Sequence, residues 1–406
     1  MKKLVLLLIF IPFSIFSQDN ITIKNFNSAL LNTERIIKIY VPDSYETEKE
    51  KNYPVAVILD ADYLFDIYVA NAKLFASTDE APEQIIVGII QNQHKERYDD
   101  CDYSIDTGLP TEESTKFYGF LRDELLPFVD DNYRTSMFKT IVGNTITANF
   151  INYYFLEANH IFNAYININP SYAPGIAEKI EAKTQTLTED VFYYVCTGDF
   201  TKSKKKKKAI NDVVNLLKLS DIEKFHFKFD NFKGATKTSS IGQSIPSALS
   251  LIFRPYSGIS KEEFDKVIAN MSPAEAIEYL EKKYVEIDYL FGSNLKIREH
   301  DIYMVEPIII DKEDGNYLEE FGKMINRLYP DSPLGDYYIG LYYETGYNYK
   351  KALKYYKNGY AKIGSDNENA DAYYQNIERV LDKKRALKLG LPVGGEEPAE
   401  DNQEKN

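Results

Sequence analysis

Few residues in this 406-residue chain are of the types that carry acid–base, redox or metal chemistry. Histidine occurs four times, at His94, His160, His226 and His300, too scattered for a His-based zinc motif. Two cysteines, Cys101 and Cys196, exclude a disulfide scaffold and a Cys-rich metal site. Lys202 and Lys204 to Lys208 form a basic run. It reads either as a contact for an anionic partner such as a phosphate or a membrane surface, or as a solvated loop entering a helix. The acidity of the rest of the chain favours the second. There is no P-loop, no dinucleotide glycine fingerprint, no His-Glu-x-x-His and no EF-hand pattern. No cofactor and no metal are expected.

Composition narrows the class. Lys and Arg number 48 against 62 Asp and Glu, a formal charge of −14. That balance argues against nucleic-acid binding, which needs a basic footprint. A hydrophobic fraction of 44% supports packed cores in a chain of two to three domains. With 33 Tyr, 23 Phe and no Trp, aromatic bulk comes from Tyr and Phe. At the N-terminus, Lys2 and Lys3 precede an apolar run from Leu4 to Phe13, then Ser14, Ser17 and Gln18. This is the pattern of a cleavable signal peptide over residues 1–17. The run is short for a membrane span, and no Cys near the cleavage site suggests a lipid anchor. The expected location is periplasmic or secreted. In an oxidising compartment Cys101 and Cys196 have the option of bridging. Cys196 sits in an apolar strand pattern and Cys101 in a polar loop, so a buried free thiol at Cys196 is the favoured reading.

The elements that must position any chemistry alternate in type. Strand patterns occur at Ile36–Val41, Tyr53–Leu59, Ile85–Ile90, Thr140–Gly143, Tyr165–Asn169, Val191–Cys196 and Phe225–Phe229. Several are continuously apolar, as in parallel sheets covered on both faces. Helical spacing links Phe117, Phe120, Leu121, Leu125 and Phe128, and further helices are predicted over Ile146–Leu156 and Lys208–Leu219. This alternation predicts a doubly wound, mostly parallel α/β sheet over residues 18–257.

From residue 258 to 390 the pattern is helical. Ser260 with Glu263, and Ser272 with Glu275, are capping boxes, and Pro273 suits a first helical position. Leu334–Tyr356 carries small and large residues spaced like one tetratricopeptide-type helix pair. The tail, 391–406, is acidic and Gly/Pro-rich and is expected to be disordered.

Residues 33–255, well over half the chain, resemble the putative esterase family of α/β-hydrolases, which contains esterase D and the enterochelin esterases. The resemblance rests on Tyr40-Val41-Pro42-Asp43-Ser44-Tyr45, on Tyr53-Pro54 leading to Leu59-Asp60, and on Val87-Gly88-Ile89 before Arg97, Tyr98 and Asp99. It continues through Glu124-Leu125-Leu126-Pro127-Phe128, Asn132-Tyr133-Arg134 and Tyr165-Ile166-Asn167-Ile168-Asn169-Pro170-Ser171.

The resemblance implies an α/β-hydrolase fold and ester hydrolysis by a serine on a strand-to-helix elbow, Gly-x-Ser-x-Gly, with a histidine base, an acid and backbone oxyanion donors. Here the elbow reads Gly143-Asn144-Thr145-Ile146-Thr147-Ala148. Thr145 stands at the nucleophile position, Lys237 at the histidine position, and Asp199 is the candidate acid. Ile146 and Ala61 are the expected oxyanion donors. Tyr63, Arg97, Tyr98 and Phe200 are the expected contacts to a small ester or acyl ligand. With serine and histidine both replaced, the chain reads as a degenerate esterase acting as a binding or scaffold module, its C-terminal helices meeting a protein partner. The alternative is a carboxylic-ester hydrolase with Thr145 as nucleophile and Lys237 as base.

Overall fold

The computed structural model describes residues 20–91, 96–199, 203–220, 222–312, 315–363 and 370–391. The predicted signal peptide, His94, Phe200, Lys202 and all but the first residue of the tail lie outside the described residues. By internal contacts the chain divides into two compact units. One runs up to Tyr256 and includes Leu290–Ser293; the other comprises Ser257–Tyr289 and the chain from Asn294 onward.

The first unit is an eight-stranded mixed sheet. Its strands are β1 (Ile21–Ser28), β2 (Thr33–Tyr40), β3 (Tyr53–Ile58), β4 (Ile85–Ile89), β5 (Thr135–Asn144), β6 (Ala164–Ile168), β7 (Val191–Gly198) and β8 (Phe225–Phe232). Their order is β1-β2-β4-β3-β5-β6-β7-β8. The β1–β2 and β2–β4 pairs are antiparallel and the others parallel. Every residue of β3, β4 and β6 is buried, which explains their mostly apolar sequences.

Helices α1 (Phe65–Ser77), α2 (Glu96–Cys101), α3 (Glu112–Gly119), α4 (Leu126–Asn132), α5 (Ile146–Phe150), α6 (Asn152–Phe155), α7 (Ile176–Thr184), α8 (Lys204–Lys218) and α9 (Lys237–Ile252) complete the unit. A π-helical stretch, Phe120–Leu125, joins α3 to α4. The side chains of Phe117, Phe120, Leu121 and Leu125 are fully buried, as their spacing predicts. Aromatic rings of Phe155, Tyr165, Tyr193 and Phe225 continue this core, with centroids 5.3–6.1 Å apart.

β1 has no counterpart among the sequence-predicted strands. Its residues, ITIKNFNS, are mostly exposed and carry no continuous apolar run; it forms because β2 offers it a full antiparallel ladder. Cys101 is the buried last residue of α2, not part of a polar loop, and both cysteines are free.

The crossover direction reverses where β4 and β5 flank β3 on opposite sides. In open α/β sheets such a switch point opens a crevice beyond the carboxyl ends of the strands. Asp60, Thr145, Asn169, Asp199 and Gly234 all follow carboxyl ends of sheet strands.

The second unit is helical: α10 (Lys261–Glu263), α11 (Pro273–Phe291), α12 (Glu299–Asp311), α13 (Leu318–Leu328), α14 (Leu334–Thr345), α15 (Tyr349–Ala361) and α16 (Ala370–Leu389). Successive helices from α13 to α16 pack side by side. Gly340 lets α14 approach α15, since a Cβ there would fall 2.6 Å from the Tyr356 ring. No described helix is long and apolar enough to cross a membrane.

Candidate active site

β5 delivers Val142, Gly143 and Asn144 into a sharp turn, and α5 starts at Ile146. Thr145 between them has φ 62° and ψ −105°. A β-branched residue rarely adopts positive φ, and such a conformation costs on the order of 1–3 kcal/mol. The turn is held by its neighbours. The Thr145 N–H donates to the Ile168 carbonyl at 2.9 Å, and its carbonyl accepts from the Ser171 N–H at 2.9 Å. Gly143 is needed for close approach: a Cβ there would lie 2.5 Å from the Thr147 carbonyl and 2.7 Å from the Ala148 nitrogen, both backbone. Gly143→Ala is therefore expected to cost about 1–3 kcal/mol by overpacking, seen as a lower denaturant midpoint. An unchanged midpoint would show that the elbow yields freely.

The elbow thus keeps the geometry that would present a nucleophile, but a different group meets the hydroxyl. Arg97 Nη2 donates to Thr145 Oγ1 at 2.7 Å and to the Asn144 carbonyl at 2.6 Å. The same guanidinium forms a two-pronged pair with Asp60, Nε to Oδ1 at 2.5 Å and Nη2 to Oδ2 at 3.1 Å. Asp60 is fully buried and Arg97 nearly so. Burial opposes the Arg97 charge, but the Asp60 carboxylate more than offsets it and lifts the guanidinium further above its ordinary range. Arg97 stays protonated and cannot take a proton from Thr145.

Thr147 occupies the position of the second elbow glycine. Its buried hydroxyl donates to Asp60 Oδ2 at 2.8 Å and accepts from the Asn144 N–H at 2.6 Å. The Asp60 N–H donates to Gln91 Oε1 at 3.1 Å, Gln91 Nε2 donates to Asp100 Oδ2 at 2.8 Å, and Arg35 Nη2 reaches Asp100 Oδ1 at 2.6 Å. Burial pushes the Asp100 carboxyl up to about 7 against the pull of Arg35. A buried polar network thus underlies the elbow.

The other site residues are distributed as follows. Lys237 is the exposed first residue of α9, capped by Thr236, and no hydrogen bond joins it to Thr145 among the described residues. The two line one small cavity, with Asn169, Ser171, Thr197 and Lys206. Asp199 is exposed, and its Oδ2 accepts from the Gly234 N–H at 2.7 Å. It therefore clamps the loop between β8 and α9. Ile146 is the first residue of α5, where an amide has no intrahelical acceptor. The Ala61 N–H is taken by the Ile89 carbonyl at 3.0 Å, so the oxyanion role expected of it finds no free donor there.

Tyr63 Oη accepts from Asn144 Nδ2 at 2.8 Å, and burial drives its phenol far up. Tyr98 is exposed, its ring 5.8 Å from the Arg97 guanidinium carbon. Arg97, expected as a ligand contact, instead belongs to the support of the elbow. The described histidines lie in other settings: His226 Nε2 is 2.7 Å from Asp190 Oδ1, His300 Nε2 is 3.2 Å from the Ile259 carbonyl, and burial lowers the His160 imidazole. In the sequence Asp60 and Thr147 appear only as parts of the resemblance, at the end of an apolar strand and in the elbow, with no supporting role assigned, and Gln91 not at all.

Fold and elbow together define an esterase-like α/β-hydrolase unit followed by a helical unit. The family model described as "Putative esterase" matches residues 28–162. An uncharacterised protein from Capnocytophaga ochracea is similar over 89% of this chain and 99% of its own, at 25% identity and TM-score 0.77. An IroE-like serine hydrolase from Shewanella oneidensis is similar in fold over 76% of this chain and 98% of its own, at 18% identity and TM-score 0.54. A BES protein from Bacillus cereus is similar over 62% and 97%, at 20% identity and TM-score 0.50. A search of curated proteins gave no match.

Proposed function

We propose that this chain is an exported, non-hydrolysing binding module built on an esterase-like fold. One observation carries the reading: the Thr145 hydroxyl accepts a 2.7 Å hydrogen bond from a guanidinium pinned on buried Asp60. A hydroxyl becomes a nucleophile when a base removes its proton, and the group in contact here is a permanent cation. The ligand class that the retained elbow suits is a small acyl compound. The helical unit, with its tetratricopeptide-like α14–α15 pair, serves as the surface for a protein partner. The N-terminal 17 residues direct export to the periplasm or beyond.

A second reading draws on Thr145 and Lys237 lining one cavity: hydrolysis with threonine as nucleophile and lysine as base. A p-nitrophenyl ester series from acetate to decanoate separates the two. The non-hydrolysing reading expects release of p-nitrophenol at the same rate from the chain and from Thr145→Ala. Turnover that disappears in both Thr145→Ala and Lys237→Met would overturn it, because losing a triad member typically costs about three or more powers of ten.

A further inference from the structure

The cavity at the elbow, about 130 Å³, is polar and carries two lysines, Lys206 and Lys237. A larger cavity of about 440 Å³ adjoins it and shares Ser171 and Lys206. That volume lies within the range of small-molecule sites. Ile105, Tyr172, Ile176 and Val213 give it apolar walls, and lysines of α8 stand at its rim.

Three observations point to what these joined cavities hold. The first is charge. Lys208 is paired with Asp212 at 2.7 Å, whereas Lys205, Lys206 and Lys237 form no ion pair among the described residues. The only other acid on these walls is Glu178. The second is placement. Lys204 to Lys208 fill the first turn and a half of α8, which contains no acid in its first turn. Cations at the positive end of a helix dipole are unfavourable, so the arrangement gains from an anion placed there.

The third is polarity left unmet. Asn169, only 5% exposed, lines the small cavity and has its Oδ1 unpartnered. Buried polar atoms are rarely left so. Asn169 Nδ2 donates to Ser240 Oγ at 2.9 Å.

We infer that the joined cavities bind an amphipathic carboxylate, its head group between Lys206 and Lys237 beside the hydroxyls of Thr145, Ser171 and Thr197, its apolar body along the groove of Ile105, Tyr172, Ile176 and Val213. The inference rests on the non-hydrolysing reading above, since an acid retained at the elbow is a ligand and not a product. No covalent step is involved.

Calorimetric titration of the purified chain with sodium decanoate tests this, beside decyltrimethylammonium (same tail, opposite head) and acetate (head alone). Saturable one-to-one binding of decanoate is expected, at least tenfold tighter than either control. The Lys206→Glu, Lys237→Glu double variant, both exposed positions, should weaken it at least tenfold with an unchanged melting temperature. Ala209→Trp, which fills the groove, should weaken it without affecting acetate. No saturable binding, equal binding of decyltrimethylammonium, or unchanged affinity in the double lysine variant would each overturn the site. Failure of the two readings is distinguishable. Thr145-dependent release from p-nitrophenyl decanoate overturns the non-hydrolysing reading, whereas no turnover together with no decanoate binding overturns this site alone.

Discussion

Arg97→Met is expected to destabilise the first unit by about 3–5 kcal/mol, the cost of leaving one buried charge without its partner. Asp60 is the charge stranded. It is fully buried, takes two bonds from the Arg97 guanidinium, and accepts one from the Thr147 hydroxyl at 2.8 Å. Methionine fills much of the vacated volume, so the loss reports electrostatics more than a cavity. Because breaking a pair differs from replacing it, the double variant Asp60→Asn, Arg97→Met is expected to recover part of the loss. Calorimetry resolving the transitions of the two units is the appropriate measurement, since a chain of two units need not unfold in one step. A loss below about 1 kcal/mol would place the Asp60–Arg97 pair in the class of solvent-screened ion pairs. The same variant frees the Thr145 hydroxyl. Without a base it is expected to gain no esterase activity, so stability and activity separate in one protein.

The second large effect belongs to the helical unit. Glu344 on α14 is nearly buried and accepts from Arg379 at 2.9 and 2.8 Å, from Lys383 at 2.9 Å and from the Tyr356 hydroxyl at 2.7 Å. Burial raises its carboxyl, but the bonds from Arg379, Tyr356 and Lys383 outweigh this and hold it down at about 2. An acid depressed in the folded state contributes stability above its unfolded value, near 4.5, and loses it as pH falls toward 2. Arg379 and Lys383 are partly exposed, so solvent screens part of the attraction. The contribution at neutral pH is expected to be about 3 kcal/mol. Glu344→Gln should lower the melting temperature of the helical unit at pH 7 and flatten its fall between pH 4.5 and 2.5. An unchanged acid slope would assign the acid lability to other carboxylates.

Much of the sheet was legible because burial on both faces leaves one mark, an unbroken apolar run. Tyr53–Ile58 and Ile85–Ile89 are such runs, and both are buried throughout. β1 left no mark, since its pairing partner and not its side chains makes it a strand. At the site, Gly143 and Thr145 could be placed by pattern because the elbow is local: six consecutive residues contain it. The same locality exposed the loss of serine. The role of Asp199 was open in the sequence, where a turn residue and a triad acid look alike; in the structure its carboxylate accepts from the Gly234 amide.

The sequence by itself determined the alternation of strands and helices, the elbow, and the threonine at its turn. Each is set by residue type and by spacing within a short segment. Only the tertiary structure decided what meets the Thr145 hydroxyl. Asp60 follows β3, Arg97 lies on α2 and Thr145 follows β5, and they converge because β3 lies between β4 and β5 in the sheet. A carboxylate 37 residues from its guanidinium, and a guanidinium 48 residues from its hydroxyl, carry no periodicity that links them. Burial then selects the pairing, because each charge or polar group drawn from water there must find the others.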